Sequence, residues 1–179
     1  MKARKFSLPL LNRVNTASYT IRQFSIADVD AYKRIRLEAL EKEPGMFGNS
    51  HAMEEAMPHE DWINRIVHPE HARFGLYCNK ELIGLTAIII DAENPAEAYM
   101  TQSYIRKEHR GKGLSALLYD ARIAWAKENG VKVLTISHRK SNLASKAANQ
   151  KYGFVYHHTD SRTWPDGMIE DNVHYALHI

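Results

Sequence analysis

Between Glu97 and Ser137 the chain runs strand, glycine loop, helix, strand, and no other stretch limits the possible folds as tightly. "EAYMTQSYI" reads as a strand, and "HRGKG" follows with two glycines among three basic residues. Leu114, Leu117, Leu118, Ala121 and Trp125 then recur at helical spacing, and Gly130 stands where a left-handed residue ends a helix. "VKVLTIS" is a β-rich run. A unit of this kind demands parallel strands joined by a right-handed crossover, which places the chain among α/β proteins.

The flanking segments extend the pattern. "YTIRQFSIADVDAYKRIRLEALEKEPG" predicts a short strand and a helix with Val29, Tyr32, Ile35, Ala39 and Leu40 on one side. Ser25 and Asp28 have capping-box spacing, and Pro44-Gly45 stop the helix. "MFGNSHAMEEAM" has no period and reads as loop, and a second helix carrying Trp62, Ile63 and Ile66 follows Pro58. From Arg73 to Asp91 two strands meet at Asn79-Lys80. After the central unit, "LASKAANQKY" predicts a helix ended by Gly153, "FVYHHT" a strand, "DSRTWPDGMIED" a turn-rich loop and "NVHYALHI" a final alternating strand. The order is β, α, α, β, β, β, α, β, α, β, β.

At 179 residues the chain suits one domain, residues 19–179, behind an N-terminal extension of residues 1–18. A net charge of +3, with basic residues scattered, argues against nucleic acid as a partner. No apolar run nears membrane-spanning length, and one cysteine, Cys78, excludes an internal disulfide and fits a reducing, cytoplasmic setting as a buried small hydrophobe. The ten histidines show no metal-ligand spacing, and adjacent His157 and His158 are expected on opposite faces of their strand.

A helix start presents unpaired N–H groups and a partial positive charge, so a glycine loop opening onto one is a ready anion site. Gly111 and Gly113 clear the approach, while Arg110 and Lys112 add charge; the natural guest is a phosphate or pyrophosphate. A solvated basic turn is the plain alternative. A mononucleotide-binding loop needs glycine where Arg106 stands. Gly111, Gly113 and Ala116 satisfy the loose dinucleotide spacing, but five polar residues separate the strand from the first glycine and no further βαβ units follow.

"IRKEHRGKGLSALL" followed by "VLTISHRKSNLASKAANQKYGF" resembles the acyl-CoA-binding heart of the GNAT superfamily of N-acetyltransferases. The family signature, Arg or Gln, two spacers, Gly, one spacer, then Gly or Ala, falls here on Arg110, Gly113 and Ser115, the serine being a departure. The resemblance implies a single α/β (α+β) domain: a mixed, mostly antiparallel central sheet, splayed at the strand before the Arg110–Ser115 loop, with helices on both faces. It implies acetyl-CoA as cosubstrate and no metal. Backbone amides of Gly111, Lys112, Gly113, Leu114, Ser115 and Ala116 would hold the pyrophosphate. Tyr104 and Ile105 on the preceding strand would pair with the pantetheine arm, and Asn142, Ser145 and Asn149 would line its other side.

The implied chemistry is direct acetyl transfer to a primary amine of a small molecule or peptide, by a monomer or homodimer. Many relatives place a tyrosine acid seven residues after the Asn142 position; here Asn149 stands there and donates a hydrogen bond without delivering a proton. Candidates for the base are Glu97, Tyr99 at the place matching some relatives' glutamate, and His138, whose intrinsic pKa suits the task. Glu54, Glu55, Glu60, Asp61, Asp160, Asp166, Glu170 and Asp171 predict a carboxylate-rich rim favouring a cationic amine, with the ordinary charge of surface loops as the plain alternative. The missing acid at Asn149 and the missing family glutamate keep a second possibility open, an acyl-CoA-binding regulatory module with little turnover.

Overall fold

Residues 18–179 are described by a computed structural model, so the extension proposed for residues 1–18 lies, apart from Ser18, outside them. In chain order the elements are β1 (Tyr19–Gln23), α1 (Val29–Lys42), α2 (His51–Glu55), α3 (His59–Val67), β2 (His71–Cys78) and β3 (Glu81–Ile90). They continue as β4 (Glu97–Ile105), α4 (Ser115–Glu128), β5 (Val133–Arg139), α5 (Leu143–Lys151), β6 (Val155–Thr163) and β7 (Ile169–His178). The strands form one seven-stranded sheet in the order β1-β2-β3-β4-β5-β7-β6. Only β4 and β5 run parallel, as the central unit requires. No helix among the described residues is long and apolar enough to cross a membrane.

Two apolar layers sandwich the sheet. Tyr119 and Ala126 of α4 pack with Ala72, Phe74, Ile88, Ala98 and Met100, whereas Tyr32, Ile35 and Ala39 of α1 and Trp62 of α3 pack with Phe24, Leu85 and Tyr104. Tyr32 and Trp62 are wholly buried and meet edge to face with centroids 5.5 Å apart. Burying such a side chain contributes about 1.5–3 kcal/mol.

One irregularity lets β4 serve both layers. Leu85 and Ala87 of β3 pair with Tyr104 and Thr101 of β4, so two steps on one strand face three on the other. The extra residue makes a bulge, and Gln102 takes a φ of 58°. The bulge resets the alternation, so Met100 joins the α4 layer and Tyr104 the α1 layer. Gln102 Oε1 accepts a hydrogen bond from Tyr32 Oη at 3.1 Å, which anchors the bulge to α1.

Four expectations need correction. The segment after Pro44 is not all loop: α2 forms there, its first turn capped by Ser50 Oγ accepting from Met53 N at 3.2 Å. "DSRTWPDGMIED" is mostly strand, because β6 runs to Thr163 and β7 restarts at Ile169, leaving a short turn around Gly167 at φ 81°. Cys78 is half-buried rather than enclosed. His157 and His158 do not point apart, since a register shift between Tyr156 and His158 brings their Nδ1 atoms to 2.6 Å. At the β2–β3 turn Asn79 does what glycine usually does, with φ 57°.

Candidate active site

β4 and β5 pair from Glu97 opposite Val133 to Met100 opposite Ile136 and then part. Beyond that point Ser137–Arg139 pair only with β7, and Tyr104 and Ile105 only with β3. Two strand edges therefore face each other across a gap with no ladder between them, and such backbone groups seek partners. A cavity of about 1070 Å³ opens at this fork.

At one end of the cavity lies the glycine loop. Gly111 and Gly113 take φ values of 75° and 74°, the left-handed region that glycine enters without strain. A Cβ added at either would meet nothing within 4 Å among the described residues beyond its chain neighbours, so the space beside both is open. Among the described residues, the amides of Gly111, Lys112, Gly113 and Leu114 donate to no backbone acceptor, while Ala116 N is taken by Gly113 O at 3.1 Å. Arg110 braces the loop, giving Nε to Ile105 O at 2.7 Å and Nη2 to Glu43 Oε1 at 2.5 Å. Lys112 turns to Tyr19 Oη at 3.2 Å.

Along the gap, β5 and α5 supply polar groups. Asn142 Oδ1 caps α5 by accepting from Ser145 N at 3.0 Å, which leaves its NH₂ end to donate elsewhere. Asn149 is wholly buried; its Oδ1 accepts from Tyr119 Oη, and its Nδ2 has no partner among the described residues. Burial pushes the Tyr119 hydroxyl up to about 12, which keeps it a donor.

His138 sits just past the last β4–β5 pair. Its Nδ1 lies 2.8 Å from Arg139 O; a carbonyl only accepts, so Nδ1 carries the hydrogen and Nε2 the lone pair. That Nε2 is buried without a partner among the described residues, and His138 lines the cavity. Burial lowers the His138 pKa from its ordinary value and so favours the neutral ring.

The cavity thus gathers Tyr99, Tyr104, Ile105, Arg110, Gly111, Gly113, Leu114, Ser115, His138, Asn142, Ser145 and Asn149. Lys112 and Ala116 are not part of its lining. Glu97 does not reach it either: it lies in the closed part of the ladder, accepts from Asn94 Nδ2 at 2.9 Å and faces a separate hollow of about 390 Å³. Tyr99 shares its hydroxyl with Ser137 Oγ at 2.8 Å.

The expected acidic rim is reversed. None of the eight nominated carboxylates lines the cavity, whose one carboxylate among the described residues is Glu43. Glu54 is turned inward, Asp166 and Glu170 hold Arg139 at 2.5 Å each, and Asp171 holds Lys140 at 2.9 Å. Arg36, Arg65, Arg73 and Arg162 line the wall instead, and sequence reasoning missed all four. Arg36 carried a signal, a charge inside the apolar stripe of α1. His158, Asp160 and His174 on the outer hairpin bring possible metal-ligand atoms within 4.8 Å of one another, a group made by cross-strand pairing and outside the cavity lining.

The model of the acetyltransferase (GNAT) family matches residues 34–154, about two thirds of the chain. The chain belongs to the GNAT family of acetyltransferases. Solved GNAT structures share its fold: an acetyltransferase of this family from Streptococcus pneumoniae is 18% identical with a TM-score of 0.76, covering 90% of this chain and 99% of the other. YncA from Salmonella typhimurium, solved with its cofactor acetyl-CoA, is 18% identical with a TM-score of 0.74 over 90% and 94% of the two chains. RimL, a ribosomal L7/L12 α-N-protein acetyltransferase in complex with coenzyme A, is 16% identical with a TM-score of 0.73 over 93% and 96%. No curated protein matches this GNAT chain at a significant level.

Proposed function

We propose that this chain is an acetyl-CoA-dependent N-acetyltransferase that moves the acetyl group to a primary amine by direct transfer within a ternary complex. The observation that carries this is the β4–β5 fork opening onto four amides unpartnered among the described residues, beside two glycines with free space around them. Acetyl-CoA supplies an acyl group already activated as a thioester. The amides of Gly111 to Leu114, at the start of α4, suit a pyrophosphate by hydrogen bonding and helix dipole together. The facing edges of β4 and β5 suit the amide-bearing pantetheine arm, with the NH₂ end of Asn142 as a further donor.

In the same reading, His138 takes the amine proton at Nε2, while its Nδ1 bond to Arg139 O fixes the tautomer. Asn149 donates from Nδ2 to the departing sulfur, its amide held in one orientation by Tyr119. A thiol pKa of about 8.5 makes thiolate a competent leaving group without an acid. Asn149 also supports the second reading, an acyl-CoA-binding module. Acetyl-CoA mixed with a panel of amines, with free thiol recorded, separates the two. Acceptor-dependent thiol release is the expected result, and tight cofactor binding without any such release would favour the module.

A further inference from the structure

The cavity wall built from α1, α3, β2 and β6 carries Arg36, Arg65, Arg73 and Arg162. Among the described residues these four guanidinium groups have one carboxylate partner, Glu54, which is 1% exposed and absent from the lining. Arg36 binds both its oxygens, at 2.7 and 3.0 Å, and Arg65 takes one at 2.7 Å. Arg73, 4% exposed, reaches only neutral partners among the described residues, Tyr32 Oη at 3.0 Å and the Arg65 carbonyl. Arg162 gives Nη2 to Gly48 O at 2.9 Å and lies over the Trp164 ring at 5.1 Å, again with no carboxylate among the described residues. Arg36 Nη1 is buried with no partner among the described residues.

Holding four positive charges against one negative in a half-enclosed wall is costly unless an anion completes the set. The local potential is visible at His71, another lining residue, whose imidazole is pushed down to about 4, first by burial and then by Arg73, His68 and Arg65. Arg73 is likewise lowered, first by burial, with the like charge of Arg65 adding to it. At the loop end of the cavity, by contrast, Arg110 already has Glu43.

Building on the transferase reading, we propose that the acceptor amine carries a carboxylate and that Arg65, Arg73 and Arg162 form the subsite that binds it. A planar guanidinium offers paired donors matched to the two carboxylate oxygens, which a polyamine cannot use. Arg36, locked on Glu54, backs the subsite and keeps Arg65 in place.

The test compares thiol release from acetyl-CoA with the common amino acids, their carboxamides, O-phosphoethanolamine and putrescine. The expected result is a kcat/KM at least tenfold higher for one or more amino acids than for the matching carboxamide, with putrescine lower still. Arg162→Gln, at a half-buried site, should raise KM for that amino acid about tenfold and lower kcat by less, while Arg34→Gln on the exposed side of α1 changes neither. Carboxamides or putrescine used as well as amino acids would overturn the proposal, and so would preference for O-phosphoethanolamine.

A second readout does not need turnover. In saturating coenzyme A, N-acetyl amino acids should change Trp164 fluorescence saturably, N-acetyl amino acid amides should not, and Arg162→Gln should remove the response. Carboxylate binding without thiol release from any amine would sink the transferase reading and leave the subsite standing. Transfer confined to uncharged amines, or acids and amides binding alike, would sink the subsite.

Discussion

A single main-chain contact decides what His138 can do. With Nδ1 committed to Arg139 O, the free valence of the ring is the buried Nε2, on a residue that lines the cavity. Burial lowers the His138 pKa below its ordinary 6.5, so the ring becomes a competent base as pH rises through that lower value and loses competence as pH falls through it. The kcat/KM profile should therefore show an acid limb below pH 6.5, and His138→Gln should remove the limb while cutting the rate about 10²–10⁴-fold. An unchanged limb would take the base away from His138. Glu54 governs stability rather than chemistry. Burial alone would raise its carboxyl, but Arg36, Asn49 and Arg65 hold it at about 2, well below 4.5. Its contribution is present above pH 4.5 and disappears as pH falls from there to about 2. Glu54→Gln should cost about 3–5 kcal/mol in urea unfolding at neutral pH, because it leaves two guanidinium groups without their anion.

The strand–loop–helix unit from β4 to α4 is where local sequence and local structure agree. Gly111, Gly113 and the apolar spacing of Leu114 and Leu118 act within a few residues, so they were legible without tertiary information. The bulge at Gln102 was not, because neither glycine nor proline marks it and its cause is pairing with β3 and Tyr32. The length of the β6–β7 hairpin escaped for another reason. β6 is solvent-exposed along nearly its whole length, so no apolar alternation carries the predicted strand on through Asp160–Thr163. Arg73 and Arg162 are similarly silent in sequence, since the wall they share is assembled from β2 and β6, far apart along the chain. At this scale Gln102→Val should destabilise the protein by about 1–3 kcal/mol, through a β-branched residue at φ 58° and loss of the Tyr32 bond. It should also weaken acetyl-CoA binding by disturbing the fork. A variant with wild-type stability in urea would show that the bulge is not strained in this way.

At the scale of the molecule, the sheet forks between β4 and β5, and helices of both layers meet the cavity formed there. A ligand that fills the gap ties α1, α4, α5 and the two halves of the sheet together. Acetyl-CoA at a hundred times its dissociation constant should add about 2.7 kcal/mol of stability. For a chain of this size that raises the unfolding midpoint by about 5–11 °C in scanning calorimetry. The most direct measurement is titration calorimetry of acetyl-CoA into the wild-type protein and into Gly113→Glu. Among the described residues, no atom beyond the adjoining ones lies within 4 Å of a Cβ at position 113, so the variant should fold with about 1–2 kcal/mol of backbone strain while placing a carboxylate on the pyrophosphate path. Saturable heat with the wild type and none with the folded variant is the predicted result; undiminished heat in the variant, or no heat in either protein, would contradict the account.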